Sequence, residues 1–470
     1  MNTKAFAHQE ISIKHNETTP LVFDCSDPGT GKTYVRIVSF AKRRIKGGGC
    51  ALVLAPRSLL RSVWVNDIKK FAPRLTVSVA DAANREKAFA AKADVYITNV
   101  DAAKWLGAQK PAFFKNFSEL IIDESTAFKH HTSLRSKALA KIAKHFKYKC
   151  CMTGTPNGNS ITDIWHQVQI LDAGKRLGSS FYKFRDAVCI PTQVGRAAQM
   201  VKWQDREGAE EAVFGLLSDI VVRHKFEDCV DIPENHQYTV EYDLTPKQTK
   251  AYLEMEATQM MSFKNKPVAV MAINAAAVAT KLLQIASGAV YDGVGGYVVV
   301  DAARNEMILD LVEQRQHSLV FFLWKHQRDA LTTEADKRGL NYAVIDGSTS
   351  DRDRDEIIKG YQAGVYRVLF AHPKSAAHGL TLTKGTATIW ASPTYDLEVF
   401  KQGSKRQHRI GQTQKTETIV MIAKGTIEEK VYDLMLAKNA RMTTLLDLFG
   451  TLTPTAAPAV TPRKKVKETV

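Results

Sequence analysis

The chain has 470 residues, enough for two or three domains at ~100–200 residues each. Its 44% hydrophobic, 24% charged and 9% aromatic residues exclude a disordered or collagen-like chain. The 65 Lys and Arg against 49 Asp and Glu leave a formal charge of +16. The last twenty residues contribute a net +3 of that through Arg463, Lys464, Lys465 and Lys467 against Glu468, so +13 remains on residues 1–450. A basic body of this kind favours a polyanionic partner. Six cysteines without a CxxC pair argue against zinc and disulfide frameworks, and so for a reducing, cytoplasmic compartment. The N-terminal MNTKAFAHQE has no apolar signal core. The longest uncharged apolar stretch, 268–280, is shorter than the ~20 residues a bilayer needs, so no membrane partner is expected.

In chain order, short apolar runs alternate with amphipathic stretches: LVFDC (21–25), CALVLAP (50–56), VYIT (95–98), LIID (120–123) and KCCMTGTP (149–156). The pattern returns in SLVFFLW (318–324), YAVIDG (342–347), YRVLFAH (366–372), ATIWASP (387–393) and ETIVMIA (417–423). Such alternation predicts parallel sheets flanked by helices, so the fold class is α/β with two lobes. The expected domains are 1–225, with a helical insertion over 160–225, and 226–450, with a second over 241–290. Thr426 and Glu429 form a capping box for a helix over 426–449, with Ile427, Val431, Leu434 and Met435 on one face. The Pro, Thr and Ala content of 451–470 predicts a disordered basic tail.

The strongest motif is SDPGTGKT, Ser26 to Thr33, between a strand and an amphipathic helix. Gly29 and Gly31 let the backbone N–H groups curl around a phosphate, Lys32 supplies a charge to the outer phosphates, and Thr33 supplies a hydroxyl to Mg²⁺. The competing reading is an ordinary glycine turn, which the strand-to-helix setting disfavours. Asp123 and Glu124 end an apolar strand, where a carboxylate faces such a loop across the sheet crevice. Asp123 suits Mg²⁺, and Glu124 suits activation of water at the γ-phosphate. In QGSKRQHRIGQ, Arg406 and Arg409 lie three apart and share a face on a helical turn, as two phosphate-reaching arginines require. The alternative for such a cluster is a basic surface touching nucleic acid. Trp64, Trp105, Trp165, Trp324 and Trp390 read as core or lobe-packing residues.

Taken in order, His8-Gln9, DPGTGKT, LVLAPRSLL, VYITN, DEST, MTGTPNGNSITDIW, VVRHKFEDCVDIP, VIDGSTSDRDR, HGLTLT and QGSKRQHRIGQ resemble the motif series of helicase superfamily 2. TGTPNGNSITDIW and RQHRIGQ look most like its Swi/Snf-like branch, and the compact build is similar to bacteriophage-encoded members, which would place the protein in a bacterial host cell. The resemblance implies two RecA-like lobes and ATP with Mg²⁺ as cofactors. It implies that Gln9 reads adenine, that Asp27, Pro28, Gly29, Thr30, Gly31, Lys32, Thr33 and Asp123 bind the Mg²⁺-nucleotide, and that Glu124 is the catalytic base. Arg406 and Arg409 become arginine fingers, Gln402 couples them to the nucleotide, and Thr153 and Thr155 link that site to the nucleic-acid track. Arg57, Ser58, Thr98, Asn99, His378, Gly379 and Thr381 match backbone-contacting positions. The sequence departs from the pattern at Ser26, where the first Walker glycine would stand, at Ser125-Thr126, where relatives have Ala-His or Gly-His, and at Thr381, where Asn is common.

The expected function is a monomeric, sequence-independent motor on double-stranded DNA. A strand-separating or fork-remodelling helicase and a nucleotide-gated scaffold without turnover are the alternatives. No aromatic wedge hairpin is legible in the sequence, which favours the duplex motor.

Overall fold

A computed structural model describes residues 5–193, 201–229, 232–263, 268–376 and 380–450. Its strands in chain order are β1 (Leu21–Asp24), β2 (Cys50–Ala55), β3 (Val77–Ala80), β4 (Val95–Asn99), β5 (Phe117–Asp123), β6 (Tyr148–Met152), β7 (Cys189–Gln193), β8 (Val201–Asp205) and β9 (Val221–Val222). They continue as β10 (Asn235–Tyr242), β11 (Ala289–Tyr291), β12 (Tyr297–Val299), β13 (Ser318–Phe321), β14 (Tyr342–Ile345), β15 (Val368–Ala371), β16 (Ala387–Trp390) and β17 (Thr416–Ala423). Two parallel sheets result, in the orders β3-β4-β2-β5-β6-β1-β9 and β10-β17-β16-β13-β15-β14. Each of the ten apolar runs lies in one of them.

Helices cover both faces of each sheet, which is why the strands are apolar throughout rather than alternating. In β2, Leu52 and Leu54 enter one core with Phe23, Leu120 and Ile122, while Ala51, Val53 and Ala55 enter another with Val22, Ile37 and Trp64. Each fully buried Leu or Val stabilises by about 1.5–3 kcal/mol. The register aligns the strand ends: Asp24 lies opposite Met152, Asp123 also opposite Met152, and Ala55 opposite Asn99. The loops after β1, β2, β4, β5 and β6 therefore emerge along one edge, where α/β sheets hold their ligands.

The segment expected to be a helical insertion over 160–225 holds the helices Asp163–Asp172, Phe181–Val188 and Ala209–Leu217, but it also contains an antiparallel ribbon of β7 and β8 and ends in β9 beside β1. CIPTQ carries a proline and leaves Ile190, Pro191 and Gln193 exposed, so it gave no strand signal. The ribbon corrects the expectation of a purely helical insertion. The segment 241–290 carries the helices Pro246–Phe263 and Val268–Ala286 and runs into the β11–β12 hairpin. β10, NHQYTVEY, is a largely exposed edge strand paired with β17 along its full length. The last helix spans Ile427–Gly450. Its Val431 and Met435 are buried as expected, whereas Leu434 is 54% exposed and leaves the predicted face. The Thr426 hydroxyl accepts from the Glu428 N–H and Glu429 accepts from the Gly425 N–H, which caps the helix. The expected tail, 451–470, lies outside the described residues. No described helix is long and apolar enough to cross a membrane.

Candidate active site

The loop from Ser26 to Gly31 joins β1 to the helix Lys32–Ile45. Gly29 and Gly31 have φ of +93° and +86°, a region open to glycine. A Cβ at Gly31 would stand 2.3 Å from Gln9 Nε2, and one at Gly29 would stand 2.9 Å from the Phe226 ring. Gln9 is buried, accepts from the Phe6 N–H at 3.1 Å and donates to Thr30 O at 3.1 Å, while a His8 ring nitrogen lies 2.8 Å from that oxygen. Lys32 Nζ donates to Ser26 O at 2.6 Å and Asp27 O at 3.1 Å.

Pro28, Gly29, Gly31, Lys32, Thr33, Gln9, Asp123, Glu124, Arg406 and Arg409 line one cleft of about 480 Å³ between the lobes. Asp27 and Thr30, expected at the nucleotide, are turned to other work. The Asp27 carboxylate pairs with Arg223 at 2.7 Å and accepts the Phe226 N–H at 3.0 Å. Burial works against its ionisation, but the Arg223 guanidinium and the Phe226 N–H hold it below the usual carboxylate range. Thr30 is buried, its hydroxyl donating to Asp27 O at 2.9 Å.

The four residues of DEST face four ways. Asp123 accepts the Trp64 indole N–H at 2.9 Å, and burial raises its pKa despite that bond and the Lys32 charge. Glu124 has φ +54° and presents Oε2 buried and without a hydrogen-bond partner among the described residues. Burial, then the Glu398 and Asp123 charges, push it up to about 8. Ser125 donates to Gln167 Oε1 at 2.6 Å, and Gln167 Nε2 donates to Pro156 O at 2.9 Å, so a serine and a glutamine tie the box to the TGTP loop. Thr126 donates to Glu398 Oε1 of the second lobe at 2.9 Å.

Thr153 and Thr155 are buried beneath the phosphate loop. The Thr153 N–H donates to Asp24 O at 3.0 Å, and a Cβ at Gly154 would lie 2.9 Å from Pro28 Cδ. Opposite stand the arginines, in the turn after the helix Leu397–Ser404 rather than on a helix. Arg406 donates to Gln402 O at 2.7 Å and Leu380 O at 3.2 Å, and Arg409 to Leu380 O at 2.8 Å. Burial and the Arg409 charge bring Arg406 down to about 9, and burial lowers Arg409. Gln402 is buried, its Nε2 within 3.5 Å of Glu398 Oε1. Two residues here escaped the sequence reading. Trp64 is buried like a core residue but also holds Asp123. Asp67 lines the cleft and is pushed up to about 6 by burial, against the pull of Lys70 and Arg409.

A second inter-lobe cleft, of about 780 Å³, gathers Arg57, Ser58, Asn99 and Thr381 with Arg61, Arg352, Arg354 and Lys359. Among the described residues, Asp81 and Asp355 bring opposing charge to its lining. Thr98 is the exception among the positions expected to contact a nucleic-acid backbone: it is fully buried and its hydroxyl donates to Ala80 O at 2.8 Å, because side chains alternate along β4 and its neighbour Asn99 takes the outward place. His378 and Gly379 lie outside the described residues.

A Mg²⁺-nucleotide fits the first cleft: two glycines at positive φ shape its loop, an ammonium stands at its mouth, and a buried carboxylate oxygen has no hydrogen-bond partner among the described residues. Among the described residues no three His, Cys, Asp or Glu side chains form a metal cluster. A Mg²⁺ here would draw on one or two side chains plus phosphate and water.

Residues 15–287 match the SNF2-related domain, and residues 303–411 match the helicase conserved C-terminal domain. The chain belongs to the SNF2-related family of helicase superfamily 2. This is an ATP-hydrolysing family that uses Mg²⁺. Among its relatives is protein p41 of Acyrthosiphon pisum secondary endosymbiont phage 1, 28% identical over 448 residues and covering 89% of this chain and 93% of that one. The Chromodomain-helicase-DNA-binding protein 1-like of Mus musculus is 24% identical over 456 residues, which is 91% of this chain but 48% of the mouse protein. The chain thus spans nearly the whole phage relative and less than half of the mouse one. A solved structure entitled Sulfolobus solfataricus SWI2/SNF2 ATPase core in complex with dsDNA is 21% identical, covers 95% of this chain and 93% of that one, and has a TM-score of 0.44.

Proposed function

We propose that this SNF2-related chain is a DNA-dependent ATPase that hydrolyses Mg-ATP between its lobes and translocates on double-stranded DNA, remodelling DNA or protein–DNA complexes. The observation that carries the reading is the opposition of Lys32 and Glu124 on one lobe to Arg406 and Arg409 on the other, across one cleft. Lys32 and the loop N–H groups bind the outer phosphates, and Thr33 and Asp123 hold Mg²⁺, which when bound neutralises phosphate charge. Glu124 accepts the proton of the attacking water through Oε2. Arg406 and Arg409 stabilise the transferring charge, so that hydrolysis waits on the second lobe. Gln9 keeps one N–H and one acceptor site to spare for adenine, and Gln402 and the Thr153–Thr155 loop relay the nucleotide's state. The second cleft is lined by five Arg and Lys residues against two Asp, which suits a phosphate backbone read without regard to sequence.

The test is ATP hydrolysis against duplex, single-stranded and branched DNA with RNA controls, together with displacement of a third strand from a triplex. Stimulation that grows with duplex length, with triplex displacement and forks left paired, is expected. Lys32→Ala should abolish nucleotide binding, and Glu124→Gln should retain it while blocking turnover. Equal hydrolysis with and without DNA would refute the reading. Trp203 on the β7–β8 ribbon does not favour the strand-separating alternative, because its ring packs against the core and lies under the Arg185 guanidinium at 3.6 Å. Fork unwinding without triplex displacement would promote that alternative.

A further inference from the structure

We propose that Glu398 is a positioning residue which, through Thr126, sets the turn that presents Glu124 and thereby makes water activation depend on the second lobe being in place. The inference rests on the ATPase reading above and adds to it the means by which one lobe reports to the other.

Glu124 caps a short turn, Ser125–Phe128, with a left-handed backbone of φ 54° and ψ 61°. An L-residue is strained in that region, so the turn persists because its surroundings hold it. The ties that hold it come from both lobes. The Ala127 N–H closes on Glu124 O at 3.1 Å, and Ser125 is held by Gln167 of the same lobe at 2.6 Å. Thr126 is held by Glu398 of the other lobe at 2.9 Å, 272 residues away in sequence. A hydroxyl on a carboxylate is a charge-assisted bond, among the stronger ones a side chain makes.

Glu398 also belongs to the machinery opposite. It sits in the first turn of the helix Leu397–Ser404, whose start is capped by Asp396 accepting the Val399 N–H at 3.1 Å. The same helix carries Gln402, whose Nε2 lies 3.5 Å from Glu398 Oε1, and whose backbone oxygen accepts from Arg406 at 2.7 Å. One rigid body of about two turns thus grips the acid box at its first turn and the arginine finger at its last. Any displacement of the second lobe that withdraws Arg406 also releases Thr126, so base and finger are placed or lost together. Within the acid box the third residue thus turns to the home lobe and the fourth to its partner.

The competing account is a passive packing contact, and a double-mutant cycle separates the two. The full chain is assayed for ATP hydrolysis at saturating duplex DNA as Thr126→Val, Thr126→Ser, Glu398→Leu and the Thr126→Val/Glu398→Leu double variant, with unfolding temperatures measured alongside. Thr126→Val and Glu398→Leu, each of which removes one partner of the bond, are expected to lower kcat at least about tenfold while KM for ATP moves less than about twofold. Thr126→Ser, which keeps the hydroxyl, should stay near wild type, and the double variant should fall no further than the worse single one. Wild-type kcat in Thr126→Val, or losses that multiply in the double variant, would overturn the proposal. So would a Thr126→Ser loss that follows a lowered unfolding temperature, since a packing role predicts it. A wild-type chain that does not hydrolyse ATP would refute the ATPase reading itself, whereas an active wild type with unaffected variants refutes only the role of Glu398.

Discussion

Gly31→Ala tests whether the phosphate loop and the Gln9 helix are built as one unit. At φ +86° an alanine carries left-handed strain of about 1–2 kcal/mol. Its Cβ would stand 2.3 Å from Gln9 Nε2, too close to be tolerated, and only the Gln9 side chain can yield. Yielding breaks its bonds to the Phe6 N–H and to Thr30 O, at about 0.5–1.5 kcal/mol each. The sum is about 2–5 kcal/mol of stability, with ATP affinity reduced at least about tenfold because the loop N–H groups shift with Thr30. Gln9→Ala alone loses the same two bonds without the strain. In the Gly31→Ala/Gln9→Ala variant the clash is gone, so the combined loss should be smaller than the sum of the single losses by about 1–3 kcal/mol. Urea unfolding and nucleotide titration on all three variants measure this. Strictly additive losses would refute the claim that the loop leans on Gln9.

Trp64→Phe keeps the packing but removes the indole N–H from Asp123, and should raise the Mg²⁺ concentration for half-maximal hydrolysis about tenfold or more, as read from a Mg²⁺ titration of the ATPase. Glu428→Gln strands the fully buried Arg304, which donates to Glu428 Oε1 at 2.8 Å and also to Ser392, Ala391 and Tyr242; a loss of about 3–5 kcal/mol in urea unfolding is expected, most of it recovered in Arg304→Met/Glu428→Leu. A single-variant loss below about 1 kcal/mol would contradict that account. Burial brings His166 and His326 down to about 4, so the folded chain resists the proton that the unfolded chain takes up below ~6.5. Their contribution is complete above pH ~6.5 and is lost as pH falls towards about 4, by at most ~3 kcal/mol each. Replacing both with Gln should flatten the fall in urea midpoint between pH 7 and pH 5, and an unchanged slope would count against the assignment.

Ten strands of the two sheets, the phosphate loop and the acid box were legible in the sequence because each depends on residues close together in the chain. A strand buried on both faces must be an apolar run, and a loop that aims N–H groups at phosphate must spend glycines at positive φ. The same locality explains the misses. β10 pairs with β17 from an exposed edge, where side-chain character is free, so its eight residues carry no apolar signature. The β7–β8 ribbon packs as a two-stranded unit and shows itself only once the two segments meet. Thr98 and Asn99 are neighbours of similar polarity, and which one turns inward depends on where β4 ends against β3. Arg406 and Arg409 were recognised by spacing, but they converge because a turn brings both to Leu380 O. Residue types and local order thus determined the family and the chemistry available. Packing within the first lobe decided that Trp64 serves Asp123 across 59 positions, and the docking of the second lobe decided that Thr126 meets Glu398 across 272, since such contacts depend on tertiary packing and leave no trace at either end of the chain that makes them.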